Sequence, residues 1–262
     1  MPNLFTDLRE SLRRPEFWMY SSWLDIITRY RRTRLGLIWI IIPTAVFVAA
    51  IGQVYSTVMG HDPEFYLPYL AIGFVLFRFM TQCLSESGSI LRSHKPFIMD
   101  GRVRMTDYVL RSIAKAFFFF VCAFVVIAAA VAWSPQTSVV NLLTVLATFP
   151  LIMLNSFWLS SCMSMVGARH ADSSEMVTTV MRFGMLLTPI LWVGDRFPPG
   201  TFGWWAVHLN PAYHLITLVR NPILGEPVPS ASIWFVAVMT VLGWLLAAVV
   251  YRRYARFVPL WI

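Results

Sequence analysis

The chain has 262 residues, of which 58% are hydrophobic, 15% aromatic and 13% charged, about half the charged share of an average soluble domain. So few ionisable groups argue against a soluble enzyme and make the bilayer the second solvent. The net charge of +8 falls in clusters between apolar runs, which fits membrane topology and not nucleic-acid binding.

Residues 1–35 carry seven arginines and no apolar run long enough to span a membrane, so no signal-peptide pattern is present. Met19, Trp23, Ile26, Ile27 and Tyr30 recur at helical spacing, with Asp25, Arg29, Arg31 and Arg32 largely elsewhere on the wheel. That pattern predicts an amphipathic helix lying in the membrane interface. Six candidate spans follow, at about 36–58, 67–90, 112–133, 139–167, 176–194 and 231–251, each near the roughly 20 residues that a hydrocarbon core requires. Pro150 and Asn155 predict a kink or break in the fourth. Phe117 to Phe120 form a lipid-facing or packing surface, and Cys83, Cys122 and Cys162 sit in apolar runs as small hydrophobes, without disulfide or zinc spacing.

Basic residues set the orientation, because cytoplasmic connections retain Lys and Arg. They concentrate before the first span, between Arg92 and Lys115, and in the 252–262 tail at Arg252, Arg253 and Arg256, whereas 61–66 and 134–137 have none. Six spans with both termini cytoplasmic satisfy these loops. The domain plan is therefore a cytoplasmic N-terminus at 1–35, a membrane domain at 36–251 and a cytoplasmic tail at 252–262. Between the fifth and sixth spans, 195–230 is too polar for a simple span and too aromatic for a solvated loop. Trp204, Trp205, Asn210-Pro211, Tyr213 and Asn221-Pro222 predict short re-entrant helices in the outer leaflet, broken at the two Asn-Pro pairs; an interfacial aromatic belt is the competing reading for the tryptophans taken singly.

No Gly-x-x-x-x-Gly-Lys-Ser/Thr loop occurs, so the chain has no recognisable means of cradling nucleotide phosphates, and neither Gly-x-Ser-x-Gly nor His-Glu-x-x-His is present. No catalytic or metal site is expected. The cytoplasmic connection Arg92 to Arg111 is more informative: Lys95, Pro96, Phe97, Ile98 and Arg102 place an apolar patch between cations, with Pro96 starting a helical turn and Asp100-Gly101 ending it. Such a turn can dock in a partner's groove, or be a solvated basic loop. Asp172 or Ser173 is placed to cap the fifth span. Arg78 falls near the middle of the second span, where an ionised side chain is expensive. It faces a watered path and an anionic head group, or is neutralised by a partner helix, or lies off the bilayer centre because the span is bounded differently; Glu86, two turns away, is too distant along the helix to pair with it directly unless side chains bend or another subunit intervenes.

Three blocks, in order, carry a family resemblance: 29–39 (Arg-Tyr-Arg-Arg-Thr-Arg-Leu-Gly-Leu-Ile-Trp), Thr188-Pro189-Ile190-Leu191-Trp192, and 209–216 (Leu-Asn-Pro-Ala-Tyr-His-Leu-Ile) followed by Arg220-Asn221-Pro222-Ile223-Leu224-Gly225. With the span pattern, nearly the whole chain resembles the permease subunit of ABC-2 (type V) exporters of O-antigen, capsule or teichoic acid, and the last two blocks are most similar to the O-antigen and lipopolysaccharide branch. The resemblance implies a homodimeric pore with two separate nucleotide-binding subunits that bind ATP and Mg, no cofactor in this chain, an interface helix at 16–34, a coupling helix within 93–105 and outer re-entrant helices at 198–222. The family often has Arg-Asp before the fifth span; here Ala171 precedes Asp172.

A polysaccharide slides on weak, repeated contacts, and sugar rings stack on aromatic faces. Tyr66, Phe74, Phe77, Trp39 and Trp192, with Arg78, are the candidate path residues. Arg29, Arg31, Arg32 and Arg34 are the candidates for a lipid-linked pyrophosphate at the inner mouth, positive-inside anchoring being the plainer account. Asn210, Pro211, Tyr213 and Arg220 are the candidate outer gate. The expected activity is ATP-driven export of a lipid-linked polysaccharide, most of all O-antigen. Export of capsule, teichoic acid or a small hydrophobic molecule, and an ATP-independent membrane enzyme or scaffold, are the alternatives.

Overall fold

The computed structural model describes residues 3–101, 103–135, 137–194 and 197–262. Among them the regular structure is helical: α1 (Leu4–Arg13), α2 (Glu16–Tyr30), α3 (Ile38–Met59), α4 (Pro63–Ser93), α5 (Lys95–Met99), α6 (Met105–Trp133), α7 (Thr144–Arg169), α8 (Ser173–Leu187), α9 (Phe202–His208), α10 (Pro211–Leu224), α11 (Ser230–Tyr254) and α12 (Val258–Trp261). Five described stretches are long and apolar enough to cross a membrane: α3, α4, α6, Val139–Arg169 and Ser230–Trp261.

The expected span at 176–194 takes a different form. Helix α8 stops at Leu187 after 15 residues, a rise of about 22 Å against a hydrocarbon core of about 30 Å. Pro189 is the cause, because its ring pushes the preceding residue out of the helical region; Thr188 has φ −82° and ψ 134°. The chain then continues as non-helical backbone along α4. Asp172 occupies the cap position of α8 without a side-chain cap bond, while the Ser173 hydroxyl donates back to the His170 carbonyl at 2.9 Å.

Two expected breaks are absent. Helix α7 runs unbroken through Pro150, and Asn155, fully buried, ties it to α11 instead: its Nδ2 donates to Thr240 Oγ1 at 2.8 Å and its Oδ1 accepts from Trp158 Nε1 at 2.9 Å. A membrane helix tolerates proline where neighbours re-satisfy the freed groups. Pro222 likewise lies inside α10, which ends three residues later at Gly225 with φ 76°; of the two Asn-Pro pairs only Asn210-Pro211 separates helices.

Helix α4 is the central column, packed by α3, α6, α7, α8 and α10. Small residues allow the closest crossing: a Cβ on Gly167 of α7 would lie 1.9 Å from the Gly88 carbonyl oxygen of α4, the close backbone approach expected where helices pack without a hydrophobic drive between them. The Phe117–Phe120 run distributes around α6. Phe118 meets Trp23, Phe119 meets Tyr30, and Phe120 stacks on Phe149 with centroids 4.2 Å apart.

Both termini gather at one end of the bundle with α5. Helix α1 is fixed there by Ser11 and Thr106 hydroxyls 2.7 Å apart, by Tyr251 donating to Asp7 Oδ2 at 2.6 Å, and by a Glu10–Arg104 ion pair. Helix α2 lies along the first half of α6, from Phe17 against Tyr108 to Tyr30 against Phe119. Its expected apolar face divides: Ile26 is buried against Ile40 and Phe119, whereas Met19, Trp23 and Ile27 stay exposed.

Candidate functional site

At the end that carries the termini, Pro96 in the first turn and Gly101 at φ 69° bound α5 as the sequence predicts. Ile98 points inward and is 6% exposed, while Phe97 is 58% and Met99 59% exposed; Lys95 and Pro96 are exposed as well. Arg102 lies outside the described residues. What holds α5 in place escaped the sequence reading. His94, its cap residue, packs on the Tyr108 ring; its Nδ1 donates to the Ile90 carbonyl at 2.8 Å and its Nε2 accepts from Arg111 at 2.7 Å. Arg111 also donates to both Asp25 carboxylate oxygens. Burial, and then the adjacent Arg111 charge, hold the His94 imidazole below the usual histidine pKa, against the opposing pull of the Ile90 carbonyl and Asp25.

Arg29, Arg31, Arg32 and Arg34 are exposed around the turn between α2 and α3, and Trp39 in the first turn of α3 is 47% exposed. Arg78 belongs beside this group. Helix α4, at 31 residues, is about 46 Å long, longer than the hydrocarbon core, so its midpoint need not be the bilayer centre. Arg78 Nη1 donates to Thr44 Oγ1 at 2.5 Å on the second turn of α3, and a narrow crevice brings Arg78 and Gln82 against Phe119, the residue that meets Tyr30. Glu86 pairs elsewhere, with Lys115 of α6 at 3.0 Å, and accepts from Gln82 at 3.1 Å.

The aromatic path candidates do not share one surface. Phe74 stacks on Phe47 of α3 at 4.1 Å. Tyr66 is 0% and Phe77 4% exposed, and both face the α8 segment: the Tyr66 hydroxyl donates to the Leu191 carbonyl at 2.6 Å, and the Phe77 ring adjoins Gly184. Trp192 lies at the opposite end from Trp39, its Nε1 bonded to the Leu186 carbonyl at 3.0 Å.

The far end is organised around the unwound 188–192 backbone. Tyr69 donates to the Pro189 and Trp192 carbonyls at 3.0 and 3.2 Å, and Arg220 Nη1 donates to Pro189 at 2.8 Å. Arg220 is 5% exposed and its guanidinium lies 3.8 Å over the Tyr69 ring; its Nε finds no acceptor among the described residues. Asn210 caps α10 through Ala212 N at 2.9 Å and donates to Thr188 Oγ1 at 2.8 Å. Pro211 opens α10, and Tyr213 packs edge-on against His214. The expected gate residues Asn210 and Arg220 thus converge on the non-helical 188–192 segment, the first through the Thr188 hydroxyl and the second through the Pro189 carbonyl, while Tyr66 and Tyr69 donate to carbonyls of the same segment. Tyr69 was missed, although its spacing of three from Tyr66 puts both on one helix face. Among the described residues, no three His, Cys, Asp or Glu side chains group to hold a metal ion.

A bundle of long apolar helices, an exposed helical knob beside its termini and a proline-broken segment clamped at the far end define a polytopic membrane protein. The chain matches the ABC-2 type transporter family over residues 17–224, and it belongs to that family. It is the membrane component of an ABC transporter, a class whose members work with ATPase partners. No curated protein matches the chain.

Proposed function

We propose that the chain is the permease of an ATP-driven exporter of a lipid-linked polysaccharide, O-antigen most of all. It acts in the inner membrane as a homodimer with two nucleotide-binding subunits that hold ATP and Mg. The observation that carries the glycolipid reading is the inner mouth. Arg29, Arg31, Arg32 and Arg34 are exposed beside the half-exposed Trp39, with Arg78 held by Thr44 behind them. Guanidinium groups bind phosphate oxygens in bidentate fashion, and an indole face suits the first sugar ring.

In this reading α5 is the coupling helix, α2 lies at the cytoplasmic interface and both termini are cytoplasmic, in keeping with the basic residues at that end. Segment 173–192 makes the sixth crossing, with the unwound stretch completing what α8 leaves short, and α9 and α10 form the outer re-entrant pair. The apolar exposed faces of α3 and α8, including Val46, Val54, Met176, Val180 and Phe183, supply a surface for the second copy.

The test is ATPase activity of the reconstituted complex. Lipid-pyrophosphate-linked glycan should stimulate it, and Arg31→Glu with Arg32→Glu should abolish the stimulation while leaving basal turnover unchanged. Equal stimulation of wild type and variant would remove the arginine turn from substrate binding, and stimulation only by small hydrophobic compounds would replace the glycan reading.

A further inference from the structure

Residues 255–262 fold back against the bundle. After α11 a single tight turn at Ala255–Phe257 leads into α12, which packs on the end of α7 and on α5. Burial explains why the turn stays docked: Ala255 is 2% and Val258 0% exposed. The half-buried Trp261 ring lies beneath the Arg169 guanidinium at 5.6 Å and stacks on Phe257 at 6.0 Å. Leu260 on the same short helix is 79% exposed. An isolated exposed leucine means little, but this one belongs to an element seated beside Phe97 and Met99, which are exposed as well.

Between the two elements is a depression of about 460 Å³, bordered by Ile98, Gly101 and Val103 of the α5 loop, by Arg104 of α6, and by Arg256 and Pro259 of the tail. The sequence after Glu226 contains no acidic residue, and Arg252, Arg253 and Arg256 precede α12. Lys95 lies on the α5 side. The two elements therefore adjoin across this depression, with exposed apolar side chains on both and cations in the majority around them, Asp7 in the lining and Asp100 at the end of α5 being the acidic exceptions.

We propose that the tail, through Leu260 and Arg256, is a second docking element for the nucleotide-binding subunit. It engages, together with α5, a partner surface that presents an apolar groove edged by carboxylates. The proposal rests on the reading of α5 as the contact with that subunit. Continuity favours this occupant: α12 is fixed to α5, so a protein seated on Phe97 and Met99 meets Leu260 next. Burial of one apolar anchor within such a contact is worth tenfold or more in affinity.

The experiment uses the full-length permease isolated with its ATPase subunit in mild detergent, comparing Leu260→Asp, Arg256→Glu and Phe97→Asp for ATPase retained per permease. All three side chains are exposed, and a size-exclusion profile like that of wild type reports that the permease itself is intact. Loss of about tenfold or more of the retained ATPase in Leu260→Asp and Phe97→Asp, with a smaller loss in Arg256→Glu, is the expected result. Loss in Phe97→Asp alone overturns the tail proposal and leaves α5 as the contact; loss in neither overturns both. Should Leu260→Asp fail to accumulate, Leu260→Cys decides by bifunctional cross-linking. A product with the ATPase subunit supports the proposal, whereas products with lipid amines or none overturn it.

Discussion

The Arg111 guanidinium grips Asp25 with both carboxylate oxygens 2.8 Å from Nη2, joining α6 to α2, and the same guanidinium reaches His94 at the cap of α5. One side chain thus links α2 to the exposed α5. Removing Asp25 leaves a largely buried arginine with half its partners, at a cost of about 1–2 kcal/mol, the lower part of the range for a buried group left unsatisfied because the Asp25 side chain is 40% exposed. We expect Asp25→Ala to raise hydrogen exchange over 16–30 and to lower export more than ATPase turnover. The swap Asp25→Arg with Arg111→Asp should recover part of both. Unchanged exchange in Asp25→Ala would show that packing along α6, from Tyr108 to Phe119, holds α2 without the ion pair.

Protonation of His94 should loosen the same link. The folded state holds this histidine's pKa below its usual value through burial and the Arg111 charge, so the unfolded or undocked loop binds protons more readily. Anchoring of the loop is complete above the ordinary histidine range, about pH 6.5, and is lost as pH falls below it. Protection of the 94–101 amides, taken relative to the intrinsic base-catalysed exchange rate at each pH, should therefore fall between pH 7.5 and 5.5 in the wild type. In His94→Gln, which offers Arg111 an acceptor that does not titrate, the loss of protection should be absent.

How legible this architecture was depends on whether a feature is local. The apolar runs located α3, α4, α6, α7 and α11, and Pro96 with Gly101 bounded α5, because hydropathy, a fixed φ and a left-handed glycine act within a few residues. Pro150 and Pro222 leave their helices continuous, since a proline inside a packed helix costs one hydrogen bond and neighbouring helices decide whether the helix survives. The partners of Arg78 and Glu86, Thr44 and Lys115, lie 34 and 29 residues away on other helices, and no periodicity along α4 announces them. The early stop of α8 was written in Thr188-Pro189, but the hydropathy of the following Ile190-Leu191-Trp192 concealed it.

The crossing of α4 and α7 offers a test of packing alone. A methyl group on Gly167 would fall 1.9 Å from the Gly88 carbonyl oxygen, and backbone, unlike a flexible side chain, cannot give way cheaply. Gly167→Ala should destabilise by about 1–3 kcal/mol or more, seen as reduced membrane accumulation and a lower Tm in detergent. Gly184→Ala is the control, because its added methyl group would meet only the Phe77 ring at an ordinary 3.6 Å.

At the far end the clamp on the unwound strand separates two contributions. Tyr66→Phe removes one hydrogen bond to the Leu191 carbonyl and keeps the packing, so a loss near 1 kcal/mol is expected. Arg220→Lys keeps the charge and one donor for Pro189, but an ammonium cannot lie flat over Tyr69 as the guanidinium does. If the clamp sets the position of Pro189–Trp192, Arg220→Lys should impair export several-fold more than Tyr66→Phe at matched membrane levels, and Tyr69→Phe, which removes the bond to Trp192 and leaves Pro189 to Arg220 alone, should fall with Arg220→Lys. Export that simply tracks Tm across the three variants would reduce the clamp to a stabilising contact, because a strand held only for stability has no reason to respond to the geometry of its donor.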